Sequence, residues 1–334
     1  MAYRIGTRGS ALATTQTQWA ADAMSNDNAA FEQVIITTKG DVTTGSLANL
    51  GGTGVFATAL RQAVINREVD MAVHSLKDLP AKQPPELRIA AIPERADVRD
   101  ALCASNGLTL DTLRPGARVG TGSPRRVGQL LALRPDLEVV DIRGNVHTRL
   151  ARVAGYEQHH DNAPAAAGSP KGDLDAVVLA CAGLDRLELQ WAITERIDPA
   201  QMLPAPGQGS LAVEVSAEHA LDAPLTAALA DLEQTGARLE ATAERALLET
   251  LEAGCAAPLG GLACYTNGTL HLAAIVTAMD GSKTMRREAS TTIEVEAITD
   301  ATRETAYALG VEVANMLIAD GADLLPAGPP RGTR

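Results

Sequence analysis

Over the first 180 residues, short apolar runs alternate with longer amphipathic stretches. Residues 3–6 read as a short strand. Residues 11–24 read as an alanine-rich helix that Ser10 is placed to cap. Residues 34–38 form a β-branched strand, residues 55–66 a helix, and residues 69–73 a strand running into HSLKDLP. Residues 87–92 are another apolar run, closed by Pro93. After the polar PERADVRD stretch the pattern restarts. The second round has strands at 118–121, 137–142 and 176–180, and helices at 124–133, at 146–153 and near Gly183. The helix at 124 opens with proline in its first turn. Such alternation predicts α/β units, with parallel sheets, crossover helices and ligands at the carboxyl ends of the strands. The restart near residue 100 predicts two of them.

The pattern then changes. LPAPGQGSLAVEV is a Pro/Gly turn leading into a strand at 211–215. Residues 239–253 form a strongly amphipathic helix, and alternating runs follow at 259–265, 270–278 and 293–296 before a last helix at 301–319. This predicts an α+β layer with a three-stranded antiparallel sheet. The expected domains are residues 1–98 with 203–217, residues 99–202, and residues 218–334. Residues 156–171 (YEQHHDNAPAAAGSPK) read as a surface loop, with His159 and His160 facing solvent.

Composition narrows the possibilities. Of 334 residues only 8 are aromatic, so the cores are aliphatic and the stacking platforms of single-strand nucleic-acid binders are missing. A net charge of −12 also argues against a phosphate-backbone partner. No run of 18 apolar residues suggests a membrane span. MAYRIGTRGS enters a strand rather than a charged-then-apolar leader, so a cytoplasmic location is expected. The four cysteines (Cys103, Cys181, Cys255 and Cys264) show neither C-x-x-C spacing nor a metal-like relation to the histidines, and no metal is expected. Charge is uneven: residues 218–334 hold 8 basic against 17 acidic side chains, whereas residues 117–152 hold 7 arginines against 3 acids. Arginine suits bidentate capture of carboxylate or phosphate, although a solvated helix face would look the same by composition.

There is no phosphate-binding G-x-x-x-x-G-K-[ST], no dinucleotide G-x-G-x-x-G spacing and no G-x-S-x-G elbow. Instead, short polar segments sit where strands end or helices begin: TRGSALA (7–13), KGD (39–41), GGTGVF (51–56), HSLKDLP (74–80), GTGSPRR (120–126) and RGNVHTRL (143–150). PAPGQGS (204–210) and GCAAPLG (254–260) follow. Helix starts and arginines together make anion sites. Arg8, Arg125, Arg126, Arg143 and Arg149 are thus expected to face one cleft between the two α/β units, though each alone more often reads as structural.

This ordered set, above all HSLKDLP, GTGSPRR, RGNVHTRL and GCAAPLG, resembles the porphobilinogen deaminase (hydroxymethylbilane synthase) family from Arg4 to about Ala319. The resemblance implies two α/β domains folded like periplasmic binding proteins and a smaller α+β third domain. It implies a cytoplasmic, monomeric transferase that joins four porphobilinogen units head to tail with loss of ammonia and releases hydroxymethylbilane, in tetrapyrrole biosynthesis. A dipyrromethane cofactor, held by a thioether to Cys255, would prime the chain. Catalysis is implied for Asp78. Binding of cofactor or substrate carboxylates is implied for Arg8, Ser10, Ser123, Arg125, Arg126, Arg143 and Arg149. Asp41 and Lys77 match cofactor positions, Thr121 lies in the same loop, Phe56 is the aromatic of the lid, and Gln208 lies in the segment returning to the first domain.

The chemistry agrees with those residue types. Pyrrole acetate and propionate arms accumulate as the chain grows, and an arginine-lined cleft neutralises them. Cys255 follows Gly254 past a helix end, where a left-handed turn would carry a nucleophilic thiol toward the cleft. An aspartate capping the turn before Pro80 is the structural alternative for Asp78. Two lysines usual in the family's lid are replaced by Asn49 and Thr53, and residues 156–171 exceed the usual length. The rival readings are a receptor for an anionic small molecule, which leaves Cys255 without purpose, and an oligonucleotide binder, which the charge and the missing aromatics oppose.

Overall fold

The computed structural model describes residues 2–37, 55–156, 171–253, 257–294 and 298–321. Strand β1 (Ala2–Thr7) leads into helix α1 (Ala11–Met24), whose Ala13 amide donates to Ser10 Oγ at 3.4 Å, the cap the sequence predicts. Strand β2 (Ala30–Ile35), helix α2 (Val55–Ile65), strand β3 (Met71–Ser75) and strand β4 (Leu87–Ala91) follow. The chain then crosses to β5 (Asp100–Ala104), β6 (Arg118–Gly120), α3 (Pro124–Leu133), β7 (Glu138–Val140), α4 (Val146–Leu150), β8 (Ala176–Ala180), α5 (Cys181–Arg186) and β9 (Glu195–Ile197). It returns as β10 (Leu211–Ser216) and α6 (Ala223–Leu232). The last part comprises α7 (Thr235–Thr250), β11 (Leu259–Thr266), β12 (Thr269–Thr277), β13 (Thr284–Thr292) and α8 (Asp300–Gly321).

Two five-stranded sheets result, ordered β2-β1-β3-β10-β4 and β7-β6-β8-β5-β9, beside an antiparallel β11-β12-β13 sheet. The α/β class and the third antiparallel sheet agree with expectation. The α/β sheets are mixed, however, not parallel throughout. β10 runs antiparallel to β3 and β4, and β5 antiparallel to β8 and β9. Each sheet thus takes its antiparallel strand directly from a crossing between the units, where no helix intervenes to reverse the chain.

Two further expectations are corrected. The sequence predicts no strand at β5, because ALCA is too short a run to register, yet all five residues of β5 are buried. The third strand of the last sheet lies at 284–292 rather than 293–296. Met285 is its only buried side chain, so this edge strand carries no apolar alternation to read. Helix α6 packs on the first sheet: Leu225, Ala228, Leu229 and Leu232 share a core with Ile5, Met71 and Val213.

The third core lies between its sheet and helices α7 and α8, with Leu239, Leu247, Leu270, Leu272, Leu309 and Val313 inside it. The helices touch backbone to backbone at Gly310, where a Cβ would lie 2.2 Å from the Ala243 carbonyl oxygen.

Candidate active site

The ends of β1, β3, β6 and β7 deliver most of the candidate residues. After β3, a short 3-10 turn spans Leu76–Asp78, closed by the Leu79 amide on the Leu76 carbonyl at 3.1 Å. Leu76 and Leu79 are buried, and that fixes the turn so that Asp78 between them is exposed and Lys77 half-buried. Gln16 of α1 accepts from Ser75 Oγ at 3.1 Å, which ties this turn to the segment carrying Arg8 and Ser10. A cavity of about 80 Å³ lies there, lined by Arg8, Ser10, Gln16, His74, Ser75 and Asp78 among others.

In the second unit, Thr121 is buried and its Oγ1 accepts from the Ser123 amide at 3.3 Å. Ser123 stands at the start of α3, followed by Arg125 and Arg126. In the structure the two arginines turn inward, 3% and 6% exposed, onto fully buried Asp100. Arg125 Nη1 donates to Asp100 Oδ2 at 2.7 Å, and Arg126 donates through Nε and Nη2 to Oδ1 at 3.0 and 2.6 Å. Gln208 Nε2 donates to the same Oδ1 at 3.0 Å and to the Val98 carbonyl at 2.8 Å, while its Oε1 accepts from Lys77 Nζ at 3.4 Å. Lys77, Gln208, Asp100 and both arginines therefore form one chain across the two crossings between the units.

Positive charge is in excess there. Burial alone would raise the Asp100 carboxyl, but Arg125 and Arg126 outweigh it and hold the group well below the usual carboxylate range. Burial, with Arg126 and Arg125 adding to it, pushes the Lys77 ammonium down to about 8, against the pull of Asp78 and Asp100. Arg149 falls to about 10 by burial and by its neighbours Arg126 and Arg143, again opposed by Asp78. Asp78 thus acts on Lys77 of the first unit and Arg149 of the second. Arg149 Nε donates to the Gly144 carbonyl at 2.8 Å, and Arg143 is exposed, 3.4 Å from Asp141. Asp41, Cys255 and the side chain of Phe56 lie outside the described residues, as do Asn49, Thr53, His159 and His160.

Sequence reasoning missed Asp100, His74 and Glu214. Glu214 is fully buried, bound by Arg61 through Nε at 3.1 Å and Nη2 at 3.0 Å, and 3.3 Å from His74 Nε2. The available signal was a lone carboxylate at the edge of or inside an apolar run, in DALCA and LAVEV, where a charge survives only if paired.

No helix among the described residues is long and apolar enough to cross a membrane, and no cluster of metal-ligating side chains occurs among them. Two α/β units meet at a cation-rich junction, with an exposed carboxylate at a strand end, where side-chain charge could balance carboxylates. The chain belongs to the porphobilinogen deaminase family. Residues 3–222 match the model described as porphobilinogen deaminase, dipyromethane cofactor binding domain, and residues 238–319 that of the porphobilinogen deaminase C-terminal domain. The chain is 59% identical to a porphobilinogen deaminase of Micrococcus luteus over 98% of this chain and 95% of that one. It is 49% identical to one of Cutibacterium acnes over 99% of each. Among solved structures, a periplasmic substrate-binding protein of an ABC transporter from Coxiella burnetii is similar, with 14% identity, 70% of this chain and 93% of that chain covered, and a TM-score of 0.42.

Proposed function

We propose that this chain is a transferase that condenses four porphobilinogen molecules head to tail, releasing ammonia from each, and frees the product by hydrolysis as hydroxymethylbilane. The observation that carries the reading is the meeting of Lys77, Asp78, Arg125, Arg126 and Arg149 at one junction, in a chain of this family.

The junction fits a dipyrromethane cofactor. Arg125 Nε is buried without a hydrogen-bond partner, in one of the two guanidiniums that share the Asp100 carboxylate. Lys77, Thr121, Ser123, Arg125, Arg126 and Asp41 would hold the group, with Cys255 as its thioether anchor. Bound there, it supplies the primer on which the product is built.

The remaining chemistry falls to side chains. Arg8, Ser10, Arg143 and Arg149 hold the acetate and propionate arms of porphobilinogen, with Phe56 as a further substrate contact. Loss of ammonia leaves a cationic methylene-pyrrole, and the Asp78 carboxylate beside the ring N–H balances that charge. Once the new bond forms, the same carboxylate takes the proton from the attacked ring carbon. We place the protein in the cytoplasm as a monomer, without nucleic-acid or membrane partners.

Intact mass and ammonia release after addition of porphobilinogen test the reading. The expected result is a ladder of masses spaced by one pyrrole unit, with one ammonia per unit. Binding without ladder or ammonia would leave only a receptor for an anion.

A further inference from the structure

Helix α7 grips the first unit in two directions. Glu244, buried, accepts from Arg95 Nη1 at 2.8 Å, from the Ala263 amide at 2.7 Å and from the Gly207 amide. Its neighbour Arg245 points elsewhere. Arg245 Nη2 donates to the Pro80 carbonyl at 2.9 Å, to the Ala81 carbonyl at 2.6 Å, and lies 3.4 Å from Gln83 Oε1. These carbonyls come directly after the turn that presents Asp78. Gln83 extends the contact inward: its Oε1 accepts from Arg61 Nη2 at 3.3 Å and its Nε2 donates to Glu214. Glu214 in turn faces His74, which lines the cavity beside Asp78. Residues 80–83 are therefore held between a guanidinium of the third domain and a buried ion pair of the first. Leu76 and Leu79 anchor the other side of the turn.

We propose that Arg245 is a positioning residue for Asp78: by holding the Pro80 and Ala81 carbonyls it sets the pitch of the 76–83 segment. The proposal rests on the role given to Asp78 above. A planar guanidinium suits the task, because one Nη reaches two adjacent carbonyls while the rest of the group is packed; a lysine offers a point charge on a mobile stem. Burial and the nearby Arg61 lower the Arg245 guanidinium to about 10, which leaves it charged near neutral pH. Misplacing a reacting group by about 1 Å is enough to lose roughly 10²-fold in rate.

The test compares the parent with Arg245→Met and Arg245→Lys, in the form carrying whatever adduct intact mass shows. Hydrogen–deuterium exchange is read without substrate, and kcat and KM with porphobilinogen. In Arg245→Met the 76–83 peptide is expected to exchange at least about tenfold faster while β1, β3 and β10 keep their protection. With that goes a kcat lower by about 10–10²-fold, a KM within about threefold and an unchanged adduct mass. Arg245→Lys should fall between, and it carries the same readouts if the methionine variant does not fold. Unchanged exchange at 76–83 overturns the proposal, and so does faster exchange spread over the whole first sheet, which marks a general interface contact. A parent that does not turn over porphobilinogen overturns the proposed function and leaves the exchange result standing.

Discussion

Asp78 and Asp100 carry the same carboxylate to opposite effect. Asp78 is exposed beside Lys77 and Arg149, so Asp78→Asn should leave the melting temperature unchanged and reduce turnover by about 10²–10⁴-fold. A variant within about tenfold of the parent would remove Asp78 from the chemistry. Asp100 is sealed against two guanidiniums, and Asp100→Asn strands both charges inside the protein. Denaturant unfolding should register a loss of about 3–5 kcal/mol. Because its folded carboxyl is depressed, Asp100 stabilises fully above its unfolded value of about 4 and loses that contribution as pH falls toward the depressed value. The parent's acid limb should flatten in the asparagine variant. Lys77 is shifted downward as well, in a more alkaline window. Its ammonium, lowered to about 8, is charged below that pH, so kcat/KM for a carboxylate-bearing substrate should fall as pH rises through about 8. The limb should vanish in Lys77→Met. Between about 8 and its usual 10.5 the unfolded chain holds the proton that folded Lys77 has released, so this group makes the fold more stable with rising pH.

Elements with strong periodicity were legible in the sequence and the others were not. Helix α1 matches its expected bounds because Ser10 caps it, and α3 because proline opens it. β5 and β13 escaped for opposite reasons: one is buried on every side, the other exposed along most of its length. The motif residues of the junction could be read because each lies at a strand end or a helix start. Asp100 could not, since its meaning depends on Arg125, Arg126 and Gln208, brought to it only by the crossings. Helix contact is equally invisible one sequence at a time. At Gly310, α8 lies against the Ala243 carbonyl, and Gly310→Ala should force the helices apart. A loss of about 1–3 kcal/mol is expected, read by denaturant unfolding with α7 and α8 still helical by circular dichroism.

At the scale of the whole molecule, the two crossings decide how the parts depend on one another. Gly207 and Gly209 stand in the return crossing with φ of +79° and +88°. A Cβ on Gly207 would lie 2.9 Å from the Lys77 amide nitrogen, and one on Gly209 2.5 Å from the Ala96 carbonyl oxygen. The chain there passes so close to its outward path that only bare backbone fits.

The return strand β10 is not an ornament on the first sheet, since it sits between β3 and β4 and pairs with both. A ribosome therefore releases residues 2–91 long before the sheet they belong to can close, whereas residues 100–197 hold every strand of the second sheet. The usual order of synthesis, N-terminal unit first, should be inverted. In stalled nascent chains with residue 205 clear of the tunnel, pulse proteolysis should find the second unit protected and the first still cleavable. Protection of the first should appear only after residue 232, when β10 and α6 have emerged. On that order the N-terminal lobe of this enzyme should be the later one to fold, leaving its aliphatic strands open to aggregation and to chaperones until then.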